Sequence, residues 1–274
     1  MHQAQIRNKI YQLPSRWDEL TADQVVKAAY LSSQKLDAVS LAKLMFLVLT
    51  RSLPWWKRYR LQFFYFFQAN TAEKGDLIFL TRSFAEFTDF TSQKLKKIYL
   101  NSVPKKTLYG PNKALANCTL WEYIKAEQYF MKYIETKEEK WMNHLIAVLY
   151  RQSRKDFNPE LHEDIRVPLI DSTILPRSLK IARLPLPHRI AILMWFDGCR
   201  SFIIKSFPSI FKKDETKSQP IIGNQKSAQW LDMITSLSAN MAQFTDIANT
   251  NLSIALTDIS FRIRQQAKST KKTK

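Results

Sequence analysis

The chain has 274 residues, 45% of them hydrophobic and 12% aromatic, with 4 glycines and 2 cysteines. That apolar content builds a core and excludes a disordered tail, while scarce glycine argues against Gly-rich phosphate loops and a turn-dense barrel. A formal net charge of +18, from 42 basic and 24 acidic residues, directs the chain towards anionic partners: nucleic acid, acidic protein surfaces or anionic membrane.

The opening MHQAQIRNKIYQLPSRWDEL lacks the apolar run of a signal peptide. Thr21 followed by Gln24 is a capping-box pattern ahead of Val25, Val26, Ala29 and Tyr30, so a helix is expected there. AVSLAKLMFLVLTRSL is apolar on nearly every side and reads as a central helix ended by Pro54. WWKRYRLQFFYFFQAN follows as a further helix or a buried strand, because periodicity does not assign LQFFYFF. Past Gly75, DLIFL reads as a short strand. The apolar runs Leu41–Leu49 and Leu61–Phe67 are separated by Arg51, Lys57, Arg58 and Arg60. None reaches the roughly 20 apolar residues of a bilayer span, so no membrane span is expected. Cys118 and Cys199, without a CxxC, suit a reducing cytoplasm.

From Lys94 to Lys113 the chain carries Lys94, Lys96, Lys97, Lys105, Lys106 and Lys113 with no acid, interleaved with Tyr99 and Tyr109. Lysines that neutralise phosphates beside tyrosines that stack on bases would make a non-specific nucleic-acid surface. The competing interpretation is a solvated basic loop whose tyrosines anchor into the core.

Thr119 to Arg154 reads as two amphipathic helices joined by a short turn. Leu120, Ile124, Met131 and Ile134 recur at helical spacing, with Glu122, Lys125, Gln128 and Lys132 largely opposite. Thr136 and Glu139 form a second capping-box pattern. Glu127 lies near the apolar stripe: buried against Arg151 or another base it would be structural, and as a buried acid with a raised pKa it would be a catalytic candidate, but no nucleophile or second acid is arranged around it. The four histidines, His2, His144, His162 and His188, form neither HxxH nor HExxH, and His162-Glu163-Asp164 reads as a polar turn rather than a metal site. There is no GxGxxG, GxxxxGK[ST] or GxSxG. A metal-dependent hydrolase or nuclease would need convergent acids, and Asp164 and Asp171 specify none. The sequence therefore names no catalytic residue, no metal site and no cofactor.

Pro159, Pro168, Pro176, Pro185 and Pro187 exclude a long helix over 158–186, which reads as an ordered connector because Ile165, Val167, Leu169, Ile170, Ile174 and Leu175 favour burial. Helix resumes at about Pro187 and runs to Pro208. A polar exposed loop is expected over 212–229. Beyond it Trp230, Ile234, Leu237, Met241 and Phe244 begin an apolar stripe that Ala248, Leu252, Ala255, Ile259 and Ile263 continue, with Asn251 as a polar interruption. A continuous helix here would be about 50 Å long, a seam that calls for a helical partner within the fold or in another subunit.

The blocks LPSRWDELTADQVVKAA, LWEYIKAEQYFMKYIETKEEKWMNHLIAVLYR, WFDGCR and QWLDMITSLSANMAQFTDIANTN resemble a group of helical proteins encoded in prophages and tail-like mobile elements of Bacteroidetes. Leu13, Pro14, Trp17, Leu20, Thr21, Ala126, Glu127, Tyr133, Glu135, Thr136, Leu149, Tyr150 and Arg151 carry the resemblance, and the chain departs from it near Phe244, where glycine is absent. The resemblance implies a role in virion or tail assembly, chaperone-like, rather than catalysis.

The expected fold is mainly α. It comprises a multi-helix, bundle-like core (1–157), the Pro-rich connector (158–186), a further core helix (187–211), the polar loop (212–229) and a C-terminal amphipathic arm with a basic tail (230–274). The expected function is a non-enzymatic assembly or scaffold protein, cytoplasmic or incorporated in a particle. It would bind a protein partner or itself through Trp230, Ile234, Leu237, Met241, Phe244, Leu252 and Ile259. The alternative is nucleic-acid binding through Lys94–Lys113.

Overall fold

Short-range sequence chemistry accounts for the first helices. In the computed structural model, which describes residues 2–6, 9–69, 75, 84, 90–100, 106–211, 235 and 241–272 (side chains outside 2–9, 241–242 and 266–272), the protein is mainly α. The expected capping box forms: the Gln24 amide donates to Thr21 Oγ1 and the Thr21 amide to Gln24 Oε1, opening α1 (Ala22–Ser32). Gln24 Nε2 also donates to the Val48 and Leu49 carbonyls, satisfying orphan acceptors at the end of α2 (Ala38–Leu49). Asp37 caps the start of α2 through the Val39 and Ser40 amides. The strand DLIFL, the loop 212–229 and Trp230, Ile234 and Leu237 lie outside the described residues.

The chain divides into two compact units: Met1–Lys94 with Pro185–Cys199, and Leu95–Leu184 with Arg200–Lys274. These boundaries differ from the sequence partition because each unit is closed by chain from two distant stretches.

Unit 1 begins with an antiparallel hairpin, β1 (His2–Ile6) and β2 (Lys9–Leu13), which the helical reading missed. Tyr11 and Leu13 of β2 join Phe46 of α2 and Leu61, Tyr65 and Ala69 in one buried cluster. Leu61 comes from α3 (Trp55–Phe63), Tyr65 from the π-helical turn Phe64–Gln68 that prolongs it, and Ala69 follows that turn. LQFFYFF is therefore helical. A second aromatic centre stacks Trp17 on Phe90 and edge-on to Phe84, at centroid distances of 5.1 and 5.6 Å.

Unit 2 is built on an αα-hairpin, α4 (Leu120–Thr136) and α5 (Glu139–Leu149). Thr136 is not an N-cap, contrary to the spacing argument: it lies in the last turn of α4, its hydroxyl donating to the Lys132 carbonyl. The helix ends at Lys137 in the left-handed conformation. A second hairpin, β3 (Lys97–Leu100) and β4 (Lys106–Tyr109), occupies the basic segment. Tyr109 pairs with the Arg151 backbone, and Ser153 pairs with Arg166, so extended chain continues the hairpin. Gly110 is required here: a Cβ at this position would stand 2.7 Å from the Tyr150 ring.

The connector is ordered and contains α6 (Ile174–Ile181), with Pro176 tolerated in its first turn. Ile174 is buried as expected, whereas Ile170 and Leu175 stand exposed. In α7 (Leu186–Ser206), residues 186–199 count with unit 1 and 200–206 with unit 2.

The C-terminal stripe is not one helix across its described part. α8 (Met241–Asn249) and α9 (Leu252–Lys272) are separated at Thr250–Asn251, where Asn251 pairs with Thr119. The Leu120 amide donates to Thr250 and the Leu252 amide to Cys118, fastening the break to the start of α4. Leu252 and Ile259 are buried inside the fold rather than presented to a partner. Phe244 is half-buried, and the Met241 side chain lies outside the described residues.

Candidate functional site

Glu122, placed by the helical wheel on the polar side of α4, is 3% exposed. Its Oε1 accepts from Arg151 Nη2 at 2.7 Å and its Oε2 from Arg166 Nη2 at 3.1 Å. Asp164 closes the quartet, accepting from Arg166 Nε and Nη2 at 3.0 and 2.8 Å and from Asn117 Nδ2 at 3.1 Å. The arginines also donate to the carbonyls of Val148 and Leu149. Two acids and two bases thus cancel in the interior, as buried charge requires.

The quartet lies beside a cavity of about 320 Å³, lined also by Trp121, Arg154, His162 and Asn251. Every oxygen of Glu122 and Asp164 faces an arginine, so both carboxylates are held within the quartet. Burial pushes the Cys118 thiol up to about 12, outweighing the arginines, and keeps it an inert thiol. Burial alone would lower the Arg166 pKa, but the Glu122 and Asp164 carboxylates beside it raise it. Arg177, buried near the Arg151 charge, falls to about 10 and donates to the Ala147 carbonyl.

Glu127 is buried as the sequence suggested, against Arg200, whose Nε donates to its two oxygens at 2.7 and 2.9 Å. His144 is half-buried, its Nδ1 against the Lys140 carbonyl and its ring against Tyr129 and Trp141. His162 Nδ1 accepts from the Asn158 amide, and Asp164 turns inward to the arginines, so the polar turn is a brace.

Sequence reasoning missed Arg166 and Arg200. Arg166 left a signal: in extended chain, Asp164 and Arg166 two residues apart share a side. Arg200 left none, being 73 residues from Glu127.

The basic segment is divided. Lys94 counts with unit 1 and the others with unit 2, while Lys105 is outside the described residues. Ile98, Leu100 and Leu108 turn inward from the hairpin, and Lys97 and Tyr99 outward. Lys97 Nζ lies 5.1 Å from the centre of the Tyr109 ring; Lys96 and Lys113 are exposed and Lys106 half-buried.

Among the described residues, apolar side chains stand exposed on α9, on α3 and, at Leu175 and Leu179, on α6. On α9, Leu252, Leu256 and Ile259 are buried, while Ile254 and Phe261 on another side are 64% and 58% exposed. On α3 and its π-helical turn, Leu61 and Tyr65 are held in the core, while Trp55, Trp56, Tyr59, Phe63, Phe66 and Phe67 face out. No helix among the described residues is long and apolar enough to cross a membrane.

Comparison with family models, curated proteins and solved structures finds no match to this chain.

Proposed function

We propose that this chain is a non-enzymatic assembly or scaffold protein that binds protein partners, acting in the cytoplasm or within a phage-like particle or tail as the sequence resemblance implies. The observation that carries this reading is α9, which is apolar on two sides. Its inner side closes unit 2 through Leu252, Leu256 and Ile259; Ile254 and Phe261, seven residues apart and therefore on one face, remain for a partner helix. The closed arginine–carboxylate sets support a structural rather than catalytic use of the buried acids.

Replacing Ile254 and Phe261 together with Asp is expected to strip protein partners that wild type retains after nuclease treatment, with a Tm close to wild type. The measurement is affinity purification from native cells beside thermal melting. An unchanged partner set overturns the reading, and collapse of the fold assigns the face to the core.

A second reading, non-specific nucleic-acid binding, is favoured by the outward strand of β3, where exposed Lys97 and Tyr99 alternate with buried Ile98. Nuclease-sensitive, salt-released material in the same purification, without a protein partner, would put it first.

A further inference from the structure

The outer face of α3 is the most aromatic surface on the described chain. Trp55, Trp56, Tyr59, Phe63, Phe66 and Phe67 are between 37% and 77% exposed. At roughly 150–250 Å² per aromatic side chain, they present on the order of 500–900 Å² of ring surface, whereas the largest apolar patch of a typical monomer is about 300–600 Å². Entropy opposes leaving such a surface in water.

Charge narrows what covers it. Between Asp37 and Glu73 the sequence holds no acid, and it holds Lys43, Arg51, Lys57, Arg58 and Arg60. Arg51 is paired with Asp23. Among the described residues, Lys57, Arg58 and Arg60 have no carboxylate against them, and Lys57 and Arg58 lie over the rings of Trp56 and Tyr59. The complement of this face is apolar and anionic at once.

Ring geometry separates the remaining candidates. Trp55 meets Tyr59 edge to face at 6.4 Å, and Phe63 is tilted against Phe67 at 5.1 Å. Rings paired in this way cover part of each other, whereas single-stranded nucleic acid stacks its bases on open aromatic faces. α3 and its π-helical turn run from Trp55 to Gln68, about 20 Å along the axis, too short to cross a hydrocarbon core of about 30 Å. The helix has the length and composition to lie along a bilayer, rings at the headgroup boundary and cations among phosphates.

We propose that the outer face of α3 docks the protein on an anionic lipid surface, with Trp55, Trp56, Tyr59, Phe63 and Phe67 inserted at the headgroup boundary and Lys57, Arg58 and Arg60 on lipid phosphates. This goes beyond partner binding through α9 and does not depend on it.

The test is co-sedimentation of the full chain with phosphatidylcholine vesicles, with and without about one-third phosphatidylglycerol. Sedimentation with the anionic vesicles alone is expected, declining as salt rises from about 0.1 to about 0.5 M. Tyr59→Ser with Phe63→Ser should abolish it while the circular dichroism spectrum and Tm stay at wild-type values. Arg58→Gln with Arg60→Gln should weaken it by about tenfold or more, and this pair decides the matter should the first fail to fold. Failure to bind anionic vesicles, or binding that neither pair diminishes, overturns the proposal. So would a fluorescent oligothymidylate that binds this face in preference to vesicles, or a wild-type dimer that the Tyr59/Phe63 pair dissolves.

Discussion

Helices α3 and α4 draw on the same residue types and use them in opposite directions. Both are rich in aromatic rings and long cations. In α4, Tyr123 and Phe130 are buried and Trp121 lies under Lys125, 4.5 Å from its ring centre. In α3, the rings stand outside and only Leu61 is fully buried. The difference lies in the acids. Glu122 and Glu127 give distant arginines a reason to come inward, and α5 covers the rings beside them. α3 has no acid to neutralise its cations, and desolvating those charges without partners would cost several kcal/mol each. An aromatic helix is thus turned inward or outward by the charges available to it.

That contrast can be broken most severely at Glu122. Glu122→Ala leaves Arg151 and Arg166 buried beside one remaining carboxylate, and a loss of about 3–5 kcal/mol in urea unfolding is expected. Glu127→Ala, at a pair nearer the surface, should cost about 2 kcal/mol. Near-equal losses would dissolve the distinction between the two sites. The Tyr59→Ser, Phe63→Ser pair on α3 should change stability by no more than about 0.5 kcal/mol per site; a larger loss would mean that the outer rings belong to the core.

The smallest effect concerns pH in unit 1. Burial lowers the His188 pKa against the opposing pull of Asp23, and its Nδ1 is buried without a hydrogen-bond partner among the described residues. The unfolded imidazole therefore takes up its proton first as pH falls. Stability from this residue is present above the unfolded value of 6.5 and declines below it. Melting scans at about pH 7.5 and about pH 5.5 should show a smaller acid-side loss in His188→Gln than in wild type. Equal losses would remove His188 from the account.

Local chemistry was legible wherever it was self-contained. The Thr21–Gln24 box needs only residues three apart, and the two helices of Thr119–Arg154 follow from apolar spacing. The Thr136–Glu139 pattern misled because the same short motif fits the end of one helix and the start of the next. Glu122 was misplaced because a wheel ranks residues by polarity, and a carboxylate matched by two arginines no longer behaves as a polar surface group. Of the candidate surfaces, the basic segment was visible as composition, but its inward and outward alternation required the β3–β4 register.

By itself the sequence determined a mainly helical chain, its strongest cap, the ordered connector and a basic surface, because these rest on contacts within a few turns or on charge alone. Tertiary structure decided which acids are buried, why Leu252 and Ile259 close a core, and that the rings of α3 face outward. Each depends on partners tens of residues away, such as Arg151 29 residues and Arg166 44 residues from Glu122, and periodicity carries no information about contacts at that range.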